Sequence, residues 1–438
     1  MKTKNNITTF EEILDKKYGK RGNGKGINMI SKNIFIMNKF YLSFLLTITN
    51  ICYGYSQGSN RVYFVDFPNS RKIVVPVQLN DNLFANMTFD TGNALDYFSL
   101  DSIFASVHSD RLAITGLPAK MKHGSGWAGI PVTALYYSSP RTVTIGKSNL
   151  IYNSVLIYDY KRTFGANKDG LFNIPQNTTQ VWELNFENNY LDIHSATDFK
   201  MPEDCFLFPF EKSEEHPYPF NVRIPIQISY SDGDTLTIDR LWMIDTGMTC
   251  DIALLSPAEE LEFFNKKNDA VWLRLGRHEY MRRYAVNAAS FEGFLLDSLH
   301  IYTFDYFPRD NRVKYLLGLN FLKRFNVFFD LKNNQLGLQP IDNFCRLVDI
   351  DERYYLTIQK TSDEKRVIER IADFPGNYYY EAGLRNGDEL VKVEGLKSLY
   401  EGETPQDSLT FKIIRSGNPM EFRVPVFDDN PTRGWIFK

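Results

Sequence analysis

From residue 61 to about residue 340 the chain reads as short apolar runs rich in Val, Ile, Phe and Tyr, broken by clusters of Asn, Asp, Gly and Pro. Runs of this kind, such as Lys72-Ile-Val-Val-Pro-Val-Gln78, predict β-strands. Helical periodicity is confined to Pro257–Lys267 and a short piece at Phe321–Phe325. A mostly β fold with few helices follows. After Asp342 the pattern changes. Strand-like Tyr354–Gln359 and Val367–Ile371 lead into Ala382-Gly383-Leu384 and Asn386-Gly387-Asp388-Glu389-Leu390, with two last strands at Leu409–Arg415 and Met420–Val426.

The β region repeats itself. Asn185-Phe-Glu-Asn-Asn-Tyr-Leu-Asp-Ile193 matches Asp330-Leu-Lys-Asn-Asn-Gln-Leu-Gly-Leu338 at an offset of 145, and the same offset lays Leu171-Phe172-Asn173 on Leu316-Leu317-Gly318. Upstream, Phe89-Asp90-Thr91-Gly92 matches Ile244-Asp245-Thr246-Gly247 at an offset of 155. Three blocks in one order predict two homologous lobes.

Composition narrows the classes. A chain of 438 residues is longer than one small module, and 43% hydrophobic with 15% aromatic residues is enough to build large cores and excludes a disordered chain. The net charge of -3 offers no footprint for nucleic acid. It conceals an asymmetry: residues 1–56 hold nine basic and three acidic side chains, which leaves the remainder at -9. Such an acidic surface mildly favours basic substrates.

The basic segment reads as a signal peptide: Lys32 and Lys39, an apolar run Phe40–Ile48, then Gly54-Tyr55-Ser56 with small residues suited to cleavage after Ser56. The run is short for a membrane span, so no span is expected after cleavage. An uncleaved anchor helix and lipid attachment at Cys52 are the alternatives, the second weakened by Asn50-Ile51. Met29 and Met37 are possible starts downstream of Met1. Export to a bacterial periplasm, cell envelope or medium is the expectation. Cleavage leaves Cys205, Cys250 and Cys345, enough for one disulfide at most. Without a CxxC or Cys/His cluster, no metal and no cofactor is expected.

Each Asp-Thr-Gly ends an apolar run, Leu83–Phe89 or Leu241–Ile244, so each Asp sits at a strand end and the Gly permits a tight turn. Two lobes related by a pseudo-twofold would set the loops face to face. Two close carboxylates share one proton, and such a pair can activate a water with one member and protonate a carbonyl oxygen with the other. A lone Asp at a tight turn is more often a turn former; the pairing within a repeat favours catalysis. The remaining histidines, His108, His194, His216, His278 and His300, form no metal or nucleophile motif and read as surface or core residues.

On these motifs, residues 61–340 resemble a two-lobed aspartic protease of the pepsin and retropepsin kind. The resemblance implies two homologous β-barrel lobes of the acid-protease fold, a polypeptide substrate, and Asp90 and Asp245 as the catalytic dyad. It further implies that Thr91 and Thr246 cross-bond between the loops and that Gly92 and Gly247 hydrogen-bond the dyad through their backbone. His123-Gly124-Ser125-Gly126-Trp127 stands where the family carries its flap, with Trp127 as the candidate ring, and no second flap is expected. Asn93 and Met248 depart from the family's small or hydroxyl residue, which predicts a dyad titrating nearer neutral; Asn173 replaces the hub Gly of the first lobe, with positive φ as the constraint it must meet.

The C-terminal pattern resembles a small PDZ-like α/β module. This implies peptide binding at its edge or internal docking on the lobes, with a groove helix between Gly395 and Leu409 and a carboxylate-binding turn near Asp349–Tyr354. The expected organisation is a leader at 1–56, a first lobe at 57–198, a second lobe at 199–343, the PDZ-like module at 344–428 and a tail at 429–438. A non-catalytic peptide-binding protein that keeps the two-lobed cleft is the rival to an exported aspartic endopeptidase.

Overall fold

The strand-forming runs assemble into sheets in the computed structural model. It describes residues 60–437 apart from short gaps, those of five or more residues being 115–119, 126–130, 160–167, 213–218, 275–279, 305–312, 343–354, 372–376, 396–407 and 426–434. One nine-stranded sheet runs, edge to edge, through Lys120–Ser125, Pro131–Tyr137, Ser154–Tyr158, Tyr97–Asp101, Gly170–Phe172, Leu83–Phe89, Val74–Asn80, Arg141–Ile145 and Ser148–Tyr152. A second runs through Val271–Arg274, Tyr280–Ala285, His300–Phe304, Ile252–Leu255, Tyr315–Gly318, Thr235–Asp245, Asn221–Ser229, Ala288–Phe291 and Phe294–Leu295. The two orders correspond strand for strand. In each, the strand leading into Asp-Thr-Gly lies parallel to the hub strand and antiparallel to the strand before it.

Alternation decides which face is buried. In Asn221–Ser229, Val222, Ile224, Ile226 and Ile228 are buried while Arg223, Pro225 and Gln227 are exposed. Each such aliphatic side chain contributes about 2 kcal/mol by leaving water. Leu83–Phe89 begins with the same alternation and ends fully buried, so the following Asp90 emerges from the core.

A six-stranded sheet joins the lobes in the order Val62–Tyr63, Tyr190–His194, Val181–Asn185, Phe325–Asp330, Gln335–Pro340 and Phe206–Pro209. The repeated Asn-Asn hairpins lie side by side in it, with Trp182 opposite Phe329. Asn189 and Asn334 take left-handed backbone at φ 57° and 54°, a conformation Asn tolerates better than most residues. Phe89 stacks on Trp182 at 5.8 Å between ring centroids and meets Phe329 edge-on. One core therefore runs through both lobes. The fold is mostly β with two lobes of matching strand order, as the repeat predicts.

Some elements differ from the sequence reading. The helix expected over Pro257–Lys267 is Leu261–Asn265. The one expected at Phe321–Phe325 is Leu319–Leu322, and Phe325 instead opens a strand buried throughout, polar Asn326 and Asp330 included. The second lobe also carries a hairpin, Val271–Arg274 with Tyr280–Ala285, in the place where the first carries Lys120–Ser125 with Pro131–Tyr137.

The C-terminal module is a separate six-stranded sheet in the order Asn418–Pro425, Ser408–Arg415, Glu389–Glu394, Arg366–Ile371, Leu356–Lys360 and Trp435–Phe437. It has its own core, including Leu356, Ile368, Tyr379, Leu384, Phe411 and Val424. Buried Asp388 holds Arg415 through two hydrogen bonds of 2.7 Å, and Asn386 accepts from the backbone of Ile371, which fixes the Asn-Gly-Asp turn. The last residues are more than a tail: Trp435–Phe437 pairs in parallel with Leu356–Ile358 and covers that edge. Tyr355 is buried among Met243, Cys250, Tyr302 and Leu316 of the second lobe.

The leader with Cys52, Cys345, the candidate carboxylate turn and most of the candidate groove helix lie outside the described residues. Among the described residues, Cys205 and Cys250 form no disulfide. Among the described residues, no helix is long and apolar enough to cross a membrane.

Candidate active site

Each Asp-Thr-Gly loop is held by the strands on either side of it. Phe89 donates its N–H to Ile73 O at 2.8 Å and Asp90 donates to Phe172 O at 2.9 Å; in the second lobe Ile244 donates to Phe220 O at 2.9 Å. The loops meet through their threonines. Thr91 N–H donates to Thr246 Oγ1 and Thr246 N–H to Thr91 Oγ1, both at 3.0 Å. The hydroxyls then donate across the lobes, Thr91 to Ile244 O at 2.8 Å and Thr246 to Phe89 O at 3.1 Å. All four bonds are buried, and losing one hydroxyl strands two partners. Thr91→Val is expected to cost about 2–4 kcal/mol of stability in urea unfolding. The Thr91→Val/Thr246→Val pair should cost less than the sum, because both act in one network.

This lock sets the carboxyls together. Gly92 N–H donates to Asp90 Oδ1 at 2.9 Å and Gly247 N–H to Asp245 Oδ1 at 2.8 Å, and each carboxyl acts on the other. The approach is close enough to require glycine: a Cβ on Gly92 would lie 2.6 Å from Asp245 Cγ, and one on Gly247 2.3 Å from Asp90 Cγ. Asp245 is 8% exposed, and Asp90 keeps more of its surface open.

Burial raises both carboxyls above the ordinary aspartate range. Asp245 is pushed up to about 7, by burial first and by the negative charge of Asp90 second. Asp90 is also raised by burial, against the pull of Lys72 and of the Gly92 and Asn93 N–H groups. The reason differs from the one read in the sequence. Met248 and Asn93 lack the family's hydroxyl, yet their backbone N–H groups still act on the carboxylates.

The hub positions also have a different physical basis. Asn173 is not in the positive-φ region, and Gly318 has φ -94°. Glycine is needed at 318 because a Cβ would lie 2.3 Å from Cys250 O; in the first lobe Asn173 instead donates its side-chain amide to Asn93 O, and Tyr152 bonds its carbonyl.

Of the candidate flap, His123, Gly124 and Ser125 lie on the strand Lys120–Ser125 at the sheet edge, with His123 exposed and its Nδ1 3.2 Å from Thr133 Oγ1. Gly126 and Trp127 lie outside the described residues. Two shallow depressions of about 290 Å³, one against Asn149–Ile151 and one against Tyr380 and Arg385, touch neither Asp-Thr-Gly loop.

Glu183, Asp192 and His194 place three potential metal-ligand atoms within 4.8 Å of one another. Their charges already have protein partners: His194 Nε2 lies 2.7 Å from Glu183 Oε2, and Arg61 Nε lies 3.5 Å from Asp192. Asn185 and Tyr190 donate to the other oxygen of Glu183, so the cluster is a satisfied ion-pair network across one hairpin.

The sequence reading passed over Lys72. Its Nζ donates to Gly247 O in the opposite lobe, and its charge acts on both aspartates. Only its register opposite Asp90 could have signalled this, and register is not visible before the strands are paired.

No family model matches the chain, and no curated protein matches it by sequence. Among solved structures it is similar to the aspartic proteinase from Irpex lacteus, at 14% identity and a TM-score of 0.41 over 64% of this chain and 97% of that one.

Proposed function

We propose that the chain is an exported aspartic endopeptidase, with Asp90 and Asp245 as a dyad that shares one proton. The observation that carries this reading is the convergence of two Asp-Thr-Gly carboxyls, each against the glycine of the opposite loop and locked by reciprocal threonine bonds. In the working state one carboxylate is ionised and takes a proton from water as the water oxygen bonds to the peptide carbonyl carbon. The other gives its proton to the carbonyl oxygen. Collapse of the resulting diol breaks the C–N bond: the proton taken from water passes to the nitrogen, and one hydroxyl proton returns to the second carboxylate. The hairpin of Lys120–Ser125 and Pro131–Tyr137, which carries His123, Gly124 and Ser125, would serve as the flap.

The alternative, a peptide-binding protein that no longer cleaves, drew on the departures at Asn93, Met248 and Asn173. Backbone N–H groups at the first two and a bonded amide at the third answer those departures.

For the C-terminal module we propose a PDZ-like fold used for docking. Trp435–Phe437 already occupies the edge of Leu356–Lys360, and Tyr355 is embedded in the second lobe. Strand addition by a foreign peptide at that edge would first have to displace the chain's own strand.

The test is cleavage of a protein digest by the mature chain, with and without a statine-type transition-state mimic such as pepstatin, across a range of pH. Activity requires one proton on the pair, so it falls when that proton leaves, near the raised value of about 7 for Asp245, and falls again at acid pH when both carboxyls are protonated. A bell with its maximum between about pH 5 and 7 is expected. A maximum below about pH 4, or no cleavage at all, would overturn the reading.

A further inference from the structure

The two lobes repeat each other around the dyad, but one charged position is not repeated. Strand pairing in the first lobe sets Val74 opposite Thr88, with Ile73 O accepting from Phe89, and the same register brings Lys72 opposite Asp90. In the second lobe Asn221 is opposite Met243, with Phe220 O accepting from Ile244, and the register brings Pro219 opposite Asp245. A lysine therefore stands on one side of the pseudo-twofold and a proline on the other. Lys72 also leaves its own lobe: its Nζ donates to the carbonyl oxygen of Gly247, the residue whose N–H holds Asp245.

This arrangement treats the carboxyls unequally. Among the described residues, the groups acting most strongly on the pair are the two carboxyls themselves, the Lys72 ammonium, and the N–H groups of Gly92, Asn93, Gly247 and Met248. The N–H groups come in matched pairs, one from each lobe. The ammonium has no counterpart at the equivalent described position, which is Pro219. For Asp90 it is the largest influence favouring the charged form, whereas at Asp245 the negative charge of Asp90 outweighs it.

Resting on the catalytic reading of the dyad, we propose that Lys72 is a positioning residue that breaks the symmetry of the pair. It holds Asp90 as the ionised partner that takes the proton from water, and leaves the shared proton on Asp245, which gives it to the carbonyl oxygen. Its bond to Gly247 O keeps the ammonium beside the loops while substrate enters and leaves.

Two measurements on the full mature chain test this, each on the wild type, Lys72→Met and Lys72→Arg. The first is the pH dependence of kcat/KM for a peptide. Without the ammonium the acid limb of the Met variant should move up by about one pH unit, the low end of what a cation beside a carboxylate does, and Arg should restore it. A residue that only stabilised the loop would lower the rate at every pH and leave the limbs in place.

The second is the melting temperature from about pH 4 to pH 8, which needs no activity. A buried acid whose folded pKa lies above its unfolded one loses stability as pH rises from the unfolded value through the folded value. Lys72→Met should steepen and extend that loss, and the steepening should shrink in an Asp90→Asn background, where only Asp245 is left to feel the ammonium. If the wild type cleaves nothing, the catalytic reading fails and the melting curves still decide whether Lys72 acts on the carboxyls. Coincident limbs and melting slopes for wild type and Lys72→Met, or a shift that Lys72→Arg does not reverse, would overturn the proposal.

Discussion

Asp90→Asn and Asp245→Asn are each expected to lower kcat/KM on a peptide substrate by about 10³- to 10⁴-fold, the range for removing a group that transfers a proton in the transition state. An amide can neither take the proton from water nor give one to the carbonyl, and the pair can no longer hold a single shared proton. The fold should survive. Each amide oxygen can still accept from the glycine N–H, Gly92 or Gly247, that bonds the native carboxylate. Stability should rise at neutral pH in Asp245→Asn. Burial lifts that carboxyl to about 7, so the folded protein pays increasingly for ionising it between about pH 4 and 7, and the amide removes that cost. Steady-state kinetics with a melting curve at pH 7 makes the check. Undiminished cleavage by either variant would exclude the shared-proton mechanism.

Gly247→Ala is expected to be nearly as damaging although it changes no chemical group. Its Cβ would fall 2.3 Å from Asp90 Cγ and within 2.5 Å of both carboxylate oxygens, so Asp90 or the whole loop must shift. Asp90 has little room, being bonded to Gly92 N–H, whose own glycine packs against Asp245. A displacement near 1 Å lowers kcat/KM by at least about 100-fold. Gly233→Ala is the matched control. That glycine has φ +90° and open space around it, so alanine there costs about 1 kcal/mol in strain and leaves the rate unchanged. Loss of activity in both variants would point to general destabilisation.

Much of the architecture was legible because strands and repeats are written locally. Alternation in Asn221–Ser229 predicts its buried face, and the matched Asn-Asn turns predict the hairpins that meet in the shared sheet. The helix boundaries were less legible. Leu319–Leu322 and Phe325–Asp330 are both buried throughout, and with Asn320, Asn326 and Asp330 buried beside the apolar residues no solvent-facing polar positions mark a period. The second-lobe hairpin was missed for a different reason: Val271–Arg274 and Tyr280–Ala285 carry no Gly-Ser-Gly signal, and only the correspondence of sheet order reveals them.

The candidate site divides in the same way. Two Asp-Thr-Gly loops inside a repeat were enough to nominate the pair, because the spacing of a repeat survives without coordinates. The cause of the raised carboxyls was not readable, since it lies in enclosure rather than in the residues after each glycine.

By itself, then, the amino-acid sequence determined the strands, the two lobes and the two carboxylates, all of which follow from patterns within a few residues or from one segment matching another. Tertiary structure decided what depends on distant segments meeting. It set Lys72 against Gly247 across 175 positions of chain, laid Trp435–Phe437 along Leu356–Ile358, and buried Tyr355 in the second lobe. Such contacts follow from how sheets close and from which side chains fill the space that remains, and neither is encoded at any single place in the chain.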